Sequence, residues 1–94
     1  MKYSIEYTSK FKKQINKIKK QGKDLKKIYT VIEKLANGAI LEEQYKNHML
    51  INNKHYKECM ECHIEPDWLL IYQIFDDNLI LLLFATGSHS DLFK

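Results

Sequence analysis

The chain has 94 residues, which is enough for one domain with a modest hydrophobic core. Its composition, 45% hydrophobic and 29% charged, is that of a soluble globular protein, and no apolar stretch reaches the length of a membrane span. Because the N-terminal residues also lack the apolar segment of a signal peptide, we expect a single domain over residues 1–94 in the cytoplasm.

The basic residues are all lysines, and they are unevenly distributed. The first 34 residues hold eleven lysines against three acidic residues, a net charge of +8, whereas the rest of the chain has a net charge of −5. A single lysine usually does no more than solvate a helix surface. Nine lysines between Lys10 and Lys27, however, favour a polyanionic partner, so we take Lys10, Lys13 and Lys17 as candidate RNA contacts.

The first part of the chain predicts a strand followed by a helical hairpin. Residues 2–7 alternate as in a short strand, and Ser9 is placed to cap the helix that follows. Gln21-Gly22 ends this helix, Asp24 caps the second one, and Asn37-Gly38 ends it. The apolar stripes of the two helices are Phe11, Ile15 and Ile18, and Leu25, Ile28, Ile32 and Leu35.

The second part predicts mainly strands. Residues 39–53 have weak periodicity and predict a loop, with one helical turn near residues 41–45. Pro66 and the turn Asp76-Asp77-Asn78 separate three strands, predicted over residues 54–64, 68–75 and 79–85. The predicted fold class is therefore α+β, with an N-terminal strand, a two-helix hairpin and antiparallel strands that form a small twisted sheet.

The two cysteines match the C-x-x-C-H pattern of c-type haem attachment. Haem attachment of that kind usually needs export, and two residues three apart on a strand point to opposite faces, which also disfavours a zinc site. We therefore expect free thiols, with Cys62 packed in the core and Cys59 partly exposed.

Titratable side chains stand at strand ends and in loops of the second part. Cys59, Glu61 and His63 should share one face of their strand, and the opposite face should pack on the helices. Asp67 follows Pro66 at the start of the next strand, so strand pairing should bring it within a few ångströms of His63. His89 follows the last apolar strand, where the chain is suited to return along the sheet edge.

His48 lies in the loop before the third strand. Three histidines beside an aspartate can supply a general acid and a general base. Each residue alone is more simply a surface histidine or a turn aspartate, so the prediction depends on their grouping.

Two runs near the C-terminus and one short motif upstream carry a family resemblance. They are E-C-H-I-x-P-D-W-L-L-I-Y at 61–72, T-G-S-H-S-D-L-F at 86–93 and H-x-L at 48–50. Together they resemble the YafQ branch of the RelE/ParE superfamily, toxins of bacterial type II toxin–antitoxin systems. The resemblance spans nearly the whole chain and implies a RelE-like fold similar to microbial ribonucleases.

The resemblance also implies an activity: an mRNA interferase that cuts mRNA in the ribosomal A site without a metal or another cofactor. The 2′-hydroxyl of a ribose attacks the adjacent phosphate, leaving a 2′,3′-cyclic phosphate and a free 5′-hydroxyl. By motif, His89 donates a proton to the leaving group, and Asp67 or His63 is the base or orients it. His48 binds phosphate, and Phe93 stacks on a base.

The sequence departs from the family where arginines are common. The corresponding positions are Ala85 or Phe84, and Glu61 with Met60 before it. Lys54 or Lys57 is expected to replace part of this phosphate clamp from the same strand. Because loss of an electrostatic stabiliser costs about 10²–10³ in rate, a weakened nuclease is expected.

The resemblance implies partners as well: the ribosome, mRNA and a cognate antitoxin similar to DinJ or RelB, in a toxin–antitoxin hetero-oligomer. An acidic, flexible antitoxin segment would suit the basic helices. The alternative is a non-nuclease member of the superfamily, similar to ParE, that binds a target such as DNA gyrase, or a weakened member that mainly binds its antitoxin.

Overall fold

The computed structural model describes residues 1–93 and has a five-stranded sheet at its centre. The elements in chain order are β1 (Ser4–Tyr7), α1 (Ser9–Lys20), α2 (Leu25–Ala36), a 3-10 helix (Glu43–Tyr45), β2 (His48–Met49), β3 (Met60–Glu65), β4 (Trp68–Phe75), β5 (Ile80–Gly87) and α3 (His89–Phe93). The strand order is β1-β5-β4-β3-β2, with β1 parallel to β5 and all other neighbours antiparallel. The predicted α+β class is confirmed.

The larger hydrophobic core lies between the helical hairpin and one face of the sheet. The predicted helix stripes supply Phe11, Ile18, Ile28 and others, and the sheet supplies Cys62, Ile64, Trp68, Leu70, Tyr72, Leu81 and Leu83. Cys62 and Ile64 therefore face the helices, as the alternation of β3 predicts. Their neighbours Glu61 and His63 project to the opposite face of the sheet.

A smaller core covers that opposite face. The buried side chains of Tyr56, Cys59 and Leu92 pack there against Leu69 and Ile71 of β4. The loop before β3 and the short helix α3 provide this cover. Because Cys59 is fully buried among these groups, the predicted partly exposed thiol is wrong; burial raises the pKa of both thiols, that of Cys62 to about 12.

Several element boundaries differ from the prediction: β1 and β5, predicted over residues 2–7 and 79–85, span Ser4–Tyr7 and Ile80–Gly87. Two other differences have a clear local cause. The N-cap of α1 is Thr8, not Ser9, since the extended backbone of Thr8 lets its hydroxyl accept a hydrogen bond from the Phe11 N–H at 3.0 Å. β3 begins only at Met60, because Asn52 and Glu58 have positive φ angles and interrupt any strand before it.

Two short elements were not predicted. His48 and Met49 form the strand β2 inside the predicted loop, and α3 replaces the predicted return along the sheet edge. Leu92 fixes α3 by packing into the smaller core. None of the helices within residues 1–93 has the length and apolar character needed to cross a membrane.

Candidate active site

Three histidines and one phenylalanine form a row on the sheet face opposite α1 and α2. Ring centroids are 6.5 Å apart between His48 and His63, 5.7 Å between His63 and His89, and 6.4 Å between His89 and Phe93. We refer to these four side chains as the histidine row. It draws on β2, β3 and α3, so three separate segments meet at one place.

Within the histidine row, between His63 and Phe93, Asp67 holds His89. Its Oδ1 atom accepts hydrogen bonds from the His89 backbone N–H at 2.9 Å and from ring Nδ1 at 2.6 Å. These bonds, the backbone bond foremost, lower the pKa of Asp67 below its usual value. Since Nδ1 of His89 donates its proton to the carboxylate, Nε2 is the ring nitrogen that can exchange a proton with a substrate.

At the His48 end of the row, Glu61 lies between two imidazoles. Its Oε1 atom is 3.4 Å from Nε2 of His63 and 3.5 Å from Nε2 of His48. The Glu61 side chain is only 7% exposed, whereas that of Asp67 is 68% exposed. His48 is held from its other side too, because its Nδ1 atom lies 2.7 Å from the backbone carbonyl of Lys46.

At the far end, the buried Tyr56 supports Phe93. The two rings meet edge to face at 5.6 Å, and the Tyr56 hydroxyl donates a hydrogen bond to the Leu92 carbonyl at 3.0 Å. Lys10 donates to the same hydroxyl at 3.1 Å. Phe93 is thus fixed from behind and still 37% exposed, as a stacking platform requires.

Beneath the row, a buried network ties β4 to β5. Thr86 accepts a hydrogen bond from the Trp68 indole at 3.0 Å and donates one to the Leu69 carbonyl at 2.7 Å. The Thr86 N–H donates to the side chain of Gln14 on α1 at 2.9 Å. This network fixes the strand ends that carry Asp67 and His89.

The candidate lysines have different surroundings. Lys10 is bonded to Tyr56 and Lys17 lies 3.7 Å from Asp91, whereas Lys13 is exposed on α1. Lys54 and Lys57 lie in the turns before β3, so the prediction that they extend from the same strand as His63 is wrong. The structure does not place them at the histidine row.

The comparison with family models decides what kind of protein carries this row. Residues 3–94 match the model described as "Bacterial toxin of type II toxin-antitoxin system, YafQ". The chain belongs to the YafQ toxin family. The predicted family resemblance is confirmed.

Relatives and solved structures support YafQ membership over nearly full length. The chain is 36% identical over 90 residues to the mRNA interferase toxin YafQ of Escherichia coli strain B / BL21-DE3, covering 95% of this chain and 94% of that protein. It matches a metal-bound toxin from Helicobacter pylori with a TM-score of 0.90 at 42% identity, covering 97% and 99% of the two chains. It matches YafQ in the E. coli DinJ–YafQ complex with a TM-score of 0.87 at 34% identity, covering 98% and 99%.

The H. pylori protein was solved with metal, which raises the question of a metal site in this YafQ family member. Among residues 1–93, no group of three or more His, Cys, Asp or Glu side chains is arranged to hold a metal ion. The two cysteines are separated by the sheet, since Cys62 belongs to the larger core and Cys59 to the smaller one.

The structure brings together His48, His63, Asp67, His89 and Phe93, but it corrects one pairing. Asp67 bonds His89, and the carboxylate that contacts His63 belongs to Glu61. Asp67 lies in the turn beyond the paired residues His63 and Leu69, so its hydrogen-bond partner is His89 and not His63.

Sequence reasoning missed three residues at the row: Glu61, Tyr56 and Lys46. Strand alternation places Glu61 on the same face as His63, but the sequence gives Glu61 no role beyond standing where the family has an arginine. Tyr56 and Lys46 lie in loops, where the sequence pattern gave no signal.

Proposed function

We propose that this protein is the toxin of a type II toxin–antitoxin system and acts as an mRNA interferase on the ribosome. The observation that carries the proposal is the histidine row, with one imidazole oriented by Asp67 and two by Glu61. An endoribonuclease of this kind needs an acid, a base and a cation that can all contact the same phosphate group and its neighbouring oxygens. Its place of action would be the cytoplasm.

His89 is the proposed general acid. In its charged form, Nε2 gives a proton to the 5′-oxygen as the bond from phosphorus to that oxygen breaks. Asp67 keeps the ring oriented through two bonds to one oxygen and stabilises the positive ring. Asp67 therefore acts by orienting the acid, which leaves the role of base to another group.

His63 is the proposed general base. Its Nε2 atom faces Glu61, which favours a proton on that atom and a free electron pair on Nδ1. Nδ1 takes the proton of the 2′-hydroxyl as the 2′-oxygen forms its bond to phosphorus. The products are a 2′,3′-cyclic phosphate and a 5′-hydroxyl. The proton of the 2′-hydroxyl is now on His63, and His89 has given its own proton to the 5′-oxygen.

His48 is the proposed phosphate ligand. The Lys46 carbonyl lies 2.7 Å from Nδ1 of His48, and the Glu61 carboxylate lies 3.5 Å from Nε2, so the ring is held from both sides beside His63. From this position the ring would contact the phosphate in place of the family arginines. Phe93 would stack on a splayed base at the other end of the row.

The proposed inhibitor is an antitoxin similar to DinJ, which binds YafQ in the related complex. The exposed lysines of α1 suit an acidic antitoxin segment, and the same surface would contact ribosomal RNA when the antitoxin is absent. The functional assembly would then be a toxin–antitoxin hetero-oligomer.

The test is cleavage of a reporter mRNA in a purified translation system, with the ends of the fragments analysed. We expect cuts at discrete codons with cyclic phosphate ends, and a loss of about 10²–10⁴ in rate for His89→Ala. The control is His55→Ala, since His55 stands outside the histidine row. Full activity of His89→Ala would contradict the proposal, and inhibition of gyrase supercoiling without mRNA cleavage would favour the ParE-like alternative.

A further inference from the structure

A cavity of about 250 Å³ opens beside the histidine row, between the 3-10 helix and the second half of β3. Its walls include Gln44, Tyr45, Lys46, His63, Ile64 and Pro66. The cavity exists because β2 pairs with β3 only at Met60 and Glu61, so the rest of the outer edge of β3 has no strand beside it. His63 is thus shared between this cavity and the proposed reaction centre.

Lys46 couples the cavity to the histidine row through its backbone. Its left-handed conformation, with φ 48° and ψ 46°, ends the 3-10 helix and turns the chain. The Lys46 carbonyl then holds Nδ1 of His48 at 2.7 Å, while the Lys46 side chain lines the cavity. A ligand in the cavity would therefore lie next to both His48 and His63.

Two polar side chains of the cavity wall are uncommitted. Within residues 1–93, the amide of Gln44 has no hydrogen-bond partner and the ammonium group of Lys46 has no ion pair. By contrast, the Glu65 carboxylate at the other side of the cavity is held by Lys27 at 2.8 Å and by Lys23 at 3.2 Å. The free groups are thus one cation and one side chain that can both donate and accept.

The remaining walls are apolar and partly flat. Tyr45, Ile64 and Pro66 provide them, and the Tyr45 ring is fixed by the Lys34 ammonium group 5.4 Å from its centroid. Apolar walls with one amide and one nearby cation suit a heteroaromatic base attached to a phosphate. An acidic peptide would need more than one free cation here.

We propose that this cavity is a nucleobase subsite, which takes the base of a nucleotide next to the scissile phosphate. Gln44 contacts the hydrogen-bonding edge of the base, and Lys46 binds the adjoining phosphate. This inference rests on the proposed function, which supplies the RNA strand. It also defines the path of that RNA strand across the site, from the cavity to Phe93 at the opposite end of the histidine row.

The first experiment maps cleavage positions on a reporter mRNA in the translation system. Gln44→Ala should change the relative cleavage of different codons by about 10-fold, because an edge contact discriminates between bases. Lys46→Ala should lower cleavage at all codons by a similar factor, since a phosphate contact carries no sequence information. The controls are Gln21→Ala and Lys2→Ala, because both side chains are exposed and lie outside α1 and outside the cavity.

The second experiment needs neither ribosome nor activity. The four nucleoside monophosphates are added separately to ¹⁵N-labelled protein, and amide NMR shifts are recorded. We expect shifts at residues 44–46 and 63–64 with at least one nucleotide, and weaker binding of that nucleotide by Gln44→Ala.

The outcomes separate the subsite from the nuclease proposal. If the wild-type protein cleaves mRNA but Gln44→Ala keeps the wild-type codon profile and no nucleotide shifts these amides, the subsite is wrong and the nuclease stands. If the wild-type protein does not cleave but nucleotides shift these amides, the nuclease fails and the cavity stands as a nucleotide-binding site without a scissile phosphate. A response of these amides to antitoxin peptide alone would also overturn the subsite.

Discussion

The two carboxylates of the candidate active site differ in almost every physical respect. Asp67 is exposed, lies in a turn and binds a single histidine through a bond of 2.6 Å. Glu61 is buried on a strand and contacts two histidines at 3.4 Å and 3.5 Å. The first arrangement fixes one ring tightly, and the second places two rings side by side.

The comparison teaches that position along the sheet decides the role of a carboxylate. Direct strand pairing places Glu61 opposite His48, and strand alternation places it on the same face as His63. Asp67 meets His89 because Leu69 pairs with Gly87, which brings the two strand ends together. The Asp67 unit therefore depends on the junction of β4 and β5, and the Glu61 unit on that of β2 and β3.

The largest effect is expected when the charge of the Asp67 unit is removed. Asp67→Asn keeps an oxygen that can accept both bonds from His89, but it no longer stabilises the positive ring. We expect mRNA cleavage to fall by about 10²-fold, with little change in the urea midpoint because Asp67 is exposed. Asp77→Asn, in an exposed turn, is the matched control. Wild-type cleavage by Asp67→Asn would remove Asp67 from the mechanism.

The second effect concerns the hydrogen-bond network of Thr86 beneath the Asp67 unit. Thr86→Val preserves volume but leaves the Trp68 indole and the Leu69 carbonyl without their hydrogen-bond partner. We expect the free energy of unfolding to fall by about 1–3 kcal/mol in urea denaturation, and cleavage to fall with it. Thr30→Val, at an exposed position of α2, should lower the free energy of unfolding much less. Equal losses of stability in the two variants would contradict the role of the network.

The sequence predicts most of the fold because long elements carry strong patterns. The strand over residues 68–75 appears with the predicted bounds, since successive residues such as Leu69 and Leu70 enter opposite cores and both must be apolar. β2 and α3 have two and five residues, too few to show a period. Their formation depends on tertiary contacts, such as the packing of Leu92 and the bond from Asp67 to the His89 N–H.

The candidate site was predicted as a group of residues but not as a set of pairs. Motifs identified His48, His63 and His89, and the fold brings them into one row. Which carboxylate meets which ring depends on strand register, and the register of a two-residue strand leaves no mark in the sequence. This explains why the contacts of Glu61 with the two rings were not predicted and why Asp67 was given the wrong partner.

A third experiment separates stability from function in the Glu61 unit. Glu61→Met fills similar volume and removes a buried charge. Removing one partner is costly in a fully buried pair, but the two histidines left behind are 51% and 18% exposed, so the cost should be small here. We expect the urea midpoint to stay or rise, while cleavage falls by about 10-fold to 100-fold because two rings lose the group that places them. Glu65→Met, which breaks ion pairs with Lys23 and Lys27, should leave cleavage nearly unchanged. A large loss of stability in Glu61→Met would show that Glu61 is structural.

The smallest effect is the pH dependence of stability that Asp67 contributes. Hydrogen bonds from His89 lower the pKa of Asp67 in the folded state, so folding favours its ionised form. The contribution is therefore present above the unfolded pKa of about 3.9 and is lost as pH falls through the lower folded value. In urea titrations from pH 6 to pH 3, the difference between wild type and Asp67→Asn should shrink towards the acid end. Because Asp67 is exposed and screened by solvent, this difference should be small at every pH. A difference that grows as pH falls would mean that the bond to His89 does not favour the carboxylate, and the Asp67 unit would lose its electrostatic basis.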